Sequence, residues 1–217
     1  MSSIELLPLK VVDGLELPSE YRQALRPGEI VVDDYGRRHR LPRFLYEIDS
    51  WQAALETELA PNFRLHEFIS TDVRETRILR GFPRYVPLAV THLAAHLSVL
   101  RQHAGTYVHI AANGGYRSAS HLTGPPATPH RWGTAVNIYR IGDEYLDTPD
   151  AVRRYTSLVN RVLPGVWVRP YGGEAGKTVD HLHIDLGIYV LTPRGEESLE
   201  DADPGGAAED ESTGEKN

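Results

Sequence analysis

Apolar and polar residues alternate in two segments of the second half of the chain. Between residues 133 and 139 the even positions are β-branched and the odd positions are small or polar. From residue 181 to 188 the even positions are Leu or Ile, and the odd positions include His181, His183 and Asp185. Alternation of this kind is typical of strands with one buried face. We therefore predict two half-buried strands, each with one polar face.

Helical periodicity marks other parts of the chain, with Gly105 placed to end the longest helix. The predicted helices are Trp51–Leu59, Pro87–His103 and Ala151–Leu163. Strands are predicted at Val108–Ala112 and Gly165–Arg169, and short ones at Glu29–Val32 and Phe44–Ile48, which flank a turn at Tyr35 and Gly36. Together these elements predict an α+β fold with a small, mostly antiparallel sheet and helices on one face.

The length of 217 residues and a hydrophobic content of 41% fit one domain with extensions. We expect a proline-interrupted N-terminal extension over residues 1–50, a core domain over 51–192 and a tail over 193–217. Two roles stay open for the extension, which could cover the core domain or pair two subunits in a homodimer.

The tail accounts for the whole net charge of −7, because the rest of the chain is close to neutral. Gly195 to Asn217 holds nine acidic residues and one basic one, whereas the other 194 residues hold 22 basic and 21 acidic ones. This composition predicts a disordered tail. The near-neutral body offers no strongly basic face for nucleic acid.

The two chain ends and the cysteine count limit the remaining classes of protein. Met1 to Lys10 lacks the sustained apolar stretch of an export signal or a membrane anchor, so we expect a cytoplasmic protein with no membrane partner. The chain contains no cysteine, which excludes cysteine catalysis and thiolate metal ligands.

Candidate chemistry lies on the polar faces of the two alternating strands. If these strands are neighbours, His130, Asn137 and His183 can converge on one point of the sheet. The small residues Gly133 and Ala135 on the same face leave space there. A zinc ion there would have three protein ligands and a fourth position for water, which is the catalytic pattern.

The spacing of three polar segments resembles a known family. These segments are Gly114-Gly115-Tyr116-Arg117-Ser118, then Thr128 to Asn137, then Asp180-His181-Leu182-His183, with a lead-in at Asn62 to Phe68. Over roughly residues 62 to 190 the chain is similar to the zinc D-alanyl-D-alanine carboxypeptidases and L-alanyl-D-glutamate peptidases, which share a fold with the Hedgehog signalling domain.

This resemblance implies a role for each site residue. His130 and His183 would bind Zn²⁺, with Asn137 in the third ligand position. Asp180 would be the general base, and Arg117 would face the developing oxyanion. His181 would assist Asp180, orient the substrate or have no role. The implied activity is that of a metallopeptidase acting on short peptides that contain D-residues, either peptidoglycan stems or free dipeptides.

Asn137 departs from the family, which has an aspartate at this position. An amide oxygen carries no charge, so we expect zinc to be held more weakly, although a less neutralised zinc would also acidify its bound water further. Three interpretations stay open. The chain is an active enzyme with a weakened site, a tailoring enzyme of small-molecule biosynthesis on the same fold, or a metal-free protein that binds peptides or regulates.

Overall fold

The chain adopts an α+β fold in this computed structural model, which describes residues 9–172, 174 and 177–193. The predicted fold class is confirmed. The predicted disordered tail lies outside the described residues apart from its first residue, and so do the first eight residues of the N-terminal segment Met1 to Lys10. In the part of the chain that is described, no helix is both long and apolar enough to span a membrane.

Strands are arranged in two larger sheets and two short hairpins. The first sheet has the order β1 (Lys10–Asp13), β4 (Phe44–Ile48) and β7 (Arg84–Pro87). The second has the order β10 (Glu144–Tyr145), β9 (Ala135–Ile141), β12 (Leu182–Asp185) and β11 (Trp167–Val168), and β8 (Val108–Ile110) also pairs with β9. The hairpins are β2 (Ile30–Val32) with β3 (Arg38–Arg40), and β5 (Glu58–Ala60) with β6 (Phe63–Arg64). All of these strand pairs are antiparallel.

The described helices are α1 (Ser19–Leu25), α2 (Trp51–Glu56), α3 (Leu65–Ile69), α4 (Arg77–Arg80), α5 (Val90–Ala104) and α6 (Pro149–Val162). Short 3-10 helices cover Gly14–Glu16 and Pro129–Trp132. As predicted, Gly105 ends α5, where its left-handed φ of 67° lets its N–H bond to the carbonyl of Arg101. Thr148 caps α6 by accepting from the N–H of Ala151, and Pro149 fills the first turn.

The main core lies on one face of the five-stranded sheet. Val136, Ile138, Leu182 and Ile184 are at most 1% exposed and join one apolar cluster with the buried faces of α5 and α6. Because side chains alternate along a strand, the opposite face of β9 and β12 is left for polar residues. The helices therefore lie on one face of this sheet and the candidate site on the other.

The first fifty residues pack against the rest of the chain at two places. Strand β4 pairs with β7 and so joins the N-terminal segment to the sheet that precedes α5. The β2–β3 hairpin packs Val31 and Leu41 around Trp132, which is fully buried. The indole Nε1 of Trp132 donates to the carbonyl of Arg40 at 2.8 Å. This contact fixes the hairpin beside the 3-10 helix that carries His130.

Several predicted helices and strands begin or end a few residues away from their predicted boundaries. The helix expected over Trp51–Leu59 ends at Glu56, because Thr57 is extended and the next residues pair in β5. The helix expected from Pro87 begins at Val90, since Pro87 still belongs to β7. The strand expected from Gly133 begins at Ala135, because Gly133 has a left-handed φ of 69° and ends the 3-10 helix.

Two further expectations concern the hairpin and the strand that carries His183. The turn at Tyr35 and Gly36 joins β2 to β3, and not to Phe44–Ile48 as the sequence suggested. The strand expected over residues 181–188 is limited to Leu182–Asp185. Both differences follow from pairing partners that local alternation does not reveal.

Candidate active site

The antiparallel register of β9 and β12 brings two predicted site residues together. His183 lies directly opposite Asn137, and Asp185 lies opposite Ala135. The Nδ1 atom of His183 is 2.8 Å from Oδ1 of Asn137, and its Nε2 atom is 3.1 Å from Oδ2 of Asp185. His183 is therefore held between an amide and a carboxylate on the polar face of the sheet.

His130 reaches the same place from the 3-10 helix Pro129–Trp132. Its ring centroid is 5.1 Å from that of His183, with the ring planes inclined at 66°. Its Nδ1 atom lies 2.8 Å from the carbonyl oxygen of Gly115. Three predicted residues, His130, Asn137 and His183, are thus neighbours although they come from separate segments.

The outer hydrogen bonds assign the protons on both imidazoles. Nδ1–H of His130 donates to Gly115, which leaves Nε2 with a free lone pair. Nε2–H of His183 donates to Asp185, which leaves Nδ1 with one. Burial lowers the pKa of His130 well below its usual value and also lowers that of His183. Both rings are neutral near pH 7, the form that metal binding requires.

The contact between His183 and Asn137 allows two arrangements. A lone pair on Nδ1 and the amide oxygen of Asn137 are both acceptors, and at 2.8 Å they repel each other. Either a cation binds both atoms, or the amide is turned so that its NH₂ donates to Nδ1. The first arrangement is a metal site, and the second is a metal-free hydrogen-bond network.

Two glycines allow the loop before Arg117 to approach the site closely. A Cβ added to Gly115 would lie 2.2 Å from the carbonyl oxygen of Phe68, and one on Gly114 would lie 2.6 Å from that of Ala111. Both distances are too short for any side chain. The Gly-Gly pair is therefore needed to place the Gly115 carbonyl against His130.

Arg117 is buried beside His130 and is held by its own loop. Its Nε donates to the carbonyl of Asn113 at 2.6 Å, and its backbone N–H donates to the carbonyl of His130 at 3.2 Å. Burial, with the charges of Arg74 and Arg169, lowers the pKa of Arg117 to about 10. The guanidinium remains charged near pH 7, and its positive charge contributes to the lowered pKa of His130.

Asn113 organises that loop. Its backbone has a left-handed φ of 57°, and its Oδ1 accepts from Thr71, from the N–H of Asp72 and from His121. The ring of His121 therefore supports the loop.

Asp180 and His181 form a pair at the rim of the site. Nδ1–H of His181 donates to Oδ1 of Asp180 at 2.6 Å, while the Asp180 side chain is 76% exposed. The Nε2 atom of His181 is buried and has no partner among the described residues. Burial is the main cause of the lowered pKa of His181. Within the described residues Asp180 makes no hydrogen bond to His130, Asn137 or His183, so the structure does not bring it to their shared centre.

Sequence reasoning undervalued Asp185 and missed Trp167 and Arg169. Asp185 accepts from His183, and the signal for it was its place on the same strand face as His181 and His183. The Trp167 ring lies 5.8 Å from that of His183. The backbone N–H of Arg169 donates to the carbonyl of His183 at 3.0 Å. No local pattern marks either residue as part of a site.

The two imidazoles carry the outer hydrogen bonds of metal ligands, but the site holds little negative charge. Each imidazole has an outer acceptor that orients it, which is the usual support for a metal-binding histidine. In the described part of the chain, however, no group of three or more His, Cys, Asp or Glu side chains is placed to hold a metal. The third donor implied by the resemblance is the neutral amide of Asn137, and the positive charges of Arg117 and Arg169 further lower the pKa of His130.

Comparison with protein-family models, curated proteins and solved structures gives no match to this chain. The likeness to the zinc peptidases thus depends on the residues of the three polar segments alone.

Proposed function

We propose that the protein is a zinc-dependent hydrolase of short peptides. The observation that carries the proposal is the meeting of His130 and His183 beside Asn137, with one nitrogen of each ring bonded to an outer acceptor. Zinc would be held by Nε2 of His130, Nδ1 of His183 and Oδ1 of Asn137. When bound, the metal supplies a Lewis acid and a hydroxide available near neutral pH.

The remaining polar groups have matching roles in peptide hydrolysis. The buried guanidinium of Arg117 would stabilise the negative charge on the carbonyl oxygen of the tetrahedral intermediate. His181 would accept the proton of the attacking water at Nε2. This atom carries a lone pair because Nδ1–H is bonded to Asp180. Asp180 would then stabilise the imidazolium, as an aspartate does beside a catalytic histidine. Its own exposed position favours this supporting role over direct proton transfer.

Zinc content tests the proposal directly. Protein purified without chelator is analysed by plasma mass spectrometry, then stripped and titrated with zinc. We expect one zinc per chain, lost in His130→Ala and His183→Ala and retained in His103→Ala, a control on the exposed end of α5. Release of D-alanine from D-alanyl-D-alanine should require the metal. Wild-type protein that binds no zinc would exclude the proposal.

A metal-free peptide-binding or regulatory protein is the second candidate. It is favoured by the neutral third donor and by the alternative in which the Asn137 amide donates to His183. In that case the stripped protein binds peptide with unchanged affinity when zinc is added. Zinc-dependent turnover of any peptide would exclude it. A tailoring reaction on a small peptide-like molecule would share the zinc requirement and differ only in substrate.

A further inference from the structure

A cleft of about 550 Å³ lies beside the candidate site. One wall is the tip of the β2–β3 hairpin, with Asp33, Asp34 and Arg37, and the other is the sheet edge, with Trp167, Arg169 and Asp185. Because Asp185 is hydrogen-bonded to His183, the inner end of the cleft lies one side chain away from the proposed metal ligands.

The hairpin wall is fixed in place. Trp132 packs with Val31 and Leu41 and bonds to the carbonyl of Arg40, so the hairpin and the helix of His130 share one buried contact. Asp33 holds the hairpin tip by accepting from Arg37 at 2.7 Å and from His39 at 3.0 Å. A ligand in the cleft therefore meets a preformed surface on both sides.

Most charges that line the cleft already have partners. Asp33 is paired with Arg37 and His39, and Asp185 accepts from His183 and from the N–H of Gly187. Asp34 is exposed and makes no ion pair with any described residue.

Arg169 is the exception at the inner end. Its guanidinium makes no hydrogen bond or ion pair within the described residues, and its buried Nε has no partner. Its guanidinium carbon lies 5.9 Å from the centroid of the Trp167 ring. Because the guanidinium lines the cleft without an anionic partner among the described residues, a ligand that accepts from its terminal nitrogens would be bound favourably.

We propose that this cleft recognises the free carboxylate of a short peptide, which binds the guanidinium of Arg169, while the hairpin tip forms the opposite wall. This inference depends on the peptide substrate of the proposed function, and not on zinc. A carboxylate matches the planar fork of an arginine with two parallel hydrogen bonds. Three aspartates in the same cleft disfavour a multiply charged anion, whereas the unpaired Asp34 suits the ammonium group of a zwitterionic peptide.

Binding to stripped protein separates this inference from the zinc proposal. Chelator-treated protein is titrated with D-alanyl-D-alanine and with its C-terminal amide by calorimetry. We expect the free acid to bind about tenfold or more tightly than the amide. In Arg169→Gln the two affinities become equal, and Arg169→Lys retains part of the difference. Arg161→Gln, on the exposed side of α6, is the matched control and should behave as wild type.

The free dipeptide and its N-acetylated form test the role of Asp34 at the outer end of the cleft. Asp34→Asn should weaken binding of the free dipeptide a few-fold and leave the N-acetylated dipeptide unchanged. Thermal melting of each variant verifies that it is folded. Equal affinity of wild type for acid and amide, no binding of either at millimolar concentration, or an intact preference in Arg169→Gln would overturn the inference.

The two proposals fail in different ways. A preference for the acid in protein that never binds zinc would exclude only the hydrolase. Zinc-dependent hydrolysis with no preference for the acid would exclude only the carboxylate site.

Discussion

His183 and Asn137 face each other across the β9–β12 pair, with Nδ1 and Oδ1 2.8 Å apart. Because Nε2–H of His183 is committed to Asp185, the contact joins two acceptors unless a cation is bound or the amide is reversed. With Asn at position 137 the orientation of the amide therefore distinguishes a metal site from a hydrogen bond.

Replacing the amide by a carboxylate should favour the metal. We expect Asn137→Asp to raise zinc affinity by roughly 10- to 100-fold, since the neutral donor becomes an anion of nearly the same shape. A fluorescent-chelator competition assay measures the affinity, and hydrolysis of D-alanyl-D-alanine should rise with it. An unchanged zinc affinity would mean that residue 137 is not a ligand.

Changing Asp185 or Asp180 to asparagine should have different effects on zinc affinity and on the turnover rate. Asp185→Asn removes the charge that orients His183, and we expect zinc affinity to fall by roughly 10- to 100-fold. Asp180→Asn should leave zinc affinity unchanged and lower the turnover rate by about 10²-fold or more, because it acts on the proton-accepting His181. The same loss of zinc in both variants would contradict these separate roles.

The close approach at Gly115 predicts a steric effect. Gly115→Ala must displace the loop that carries Arg117, because the new Cβ would lie 2.2 Å from the Phe68 carbonyl oxygen. We expect a loss of about 1–3 kcal/mol in the free energy of unfolding, measured by urea denaturation. Gly81→Ala is the control, since its Cβ would meet only an ordinary contact at 3.7 Å. Equal stability of the two variants would argue against the observed loop position.

The contribution of the hairpin tip to folding stability should depend on pH because of Asp33. Hydrogen bonds from His39 and from the Arg37 and Tyr35 segment hold the pKa of Asp33 well below its usual value. A depressed folded-state pKa gives stability that is present above about pH 4 and lost as the pH falls through the folded value. The difference in melting temperature between wild type and Asp33→Asn should therefore shrink below about pH 4. A difference that stays constant from neutral to acidic pH would contradict this role.

The local sequence pattern was sufficient to predict part of the candidate site. The period-two alternation around Asn137 and His183 predicted two strands with polar faces, and the observed register places these residues opposite each other. The fold class followed from the same periodicities. The roles proposed for Asp180 and His181 depend on the resemblance and on their own hydrogen bond, and they stay predictions.

Other parts of the site could not be predicted because they depend on contacts between distant segments. The bond from Trp132 to Arg40 joins residues 92 positions apart, and no periodicity links them. Arg169 and the hairpin tip line the same cleft although they are far apart in sequence, so no local pattern indicates a binding role for Arg169. The helix predicted through Leu59 failed for a similar reason, since β5 exists only through its pairing with β6.

The buried indole of Trp132 makes the N-terminal hairpin structurally inseparable from His130. A shortened chain starting at residue 51, the boundary suggested by the sequence, would expose this large aromatic surface to water and remove one wall of the cleft. Anyone seeking a minimal active fragment should therefore retain the residues from the start of β1 onward.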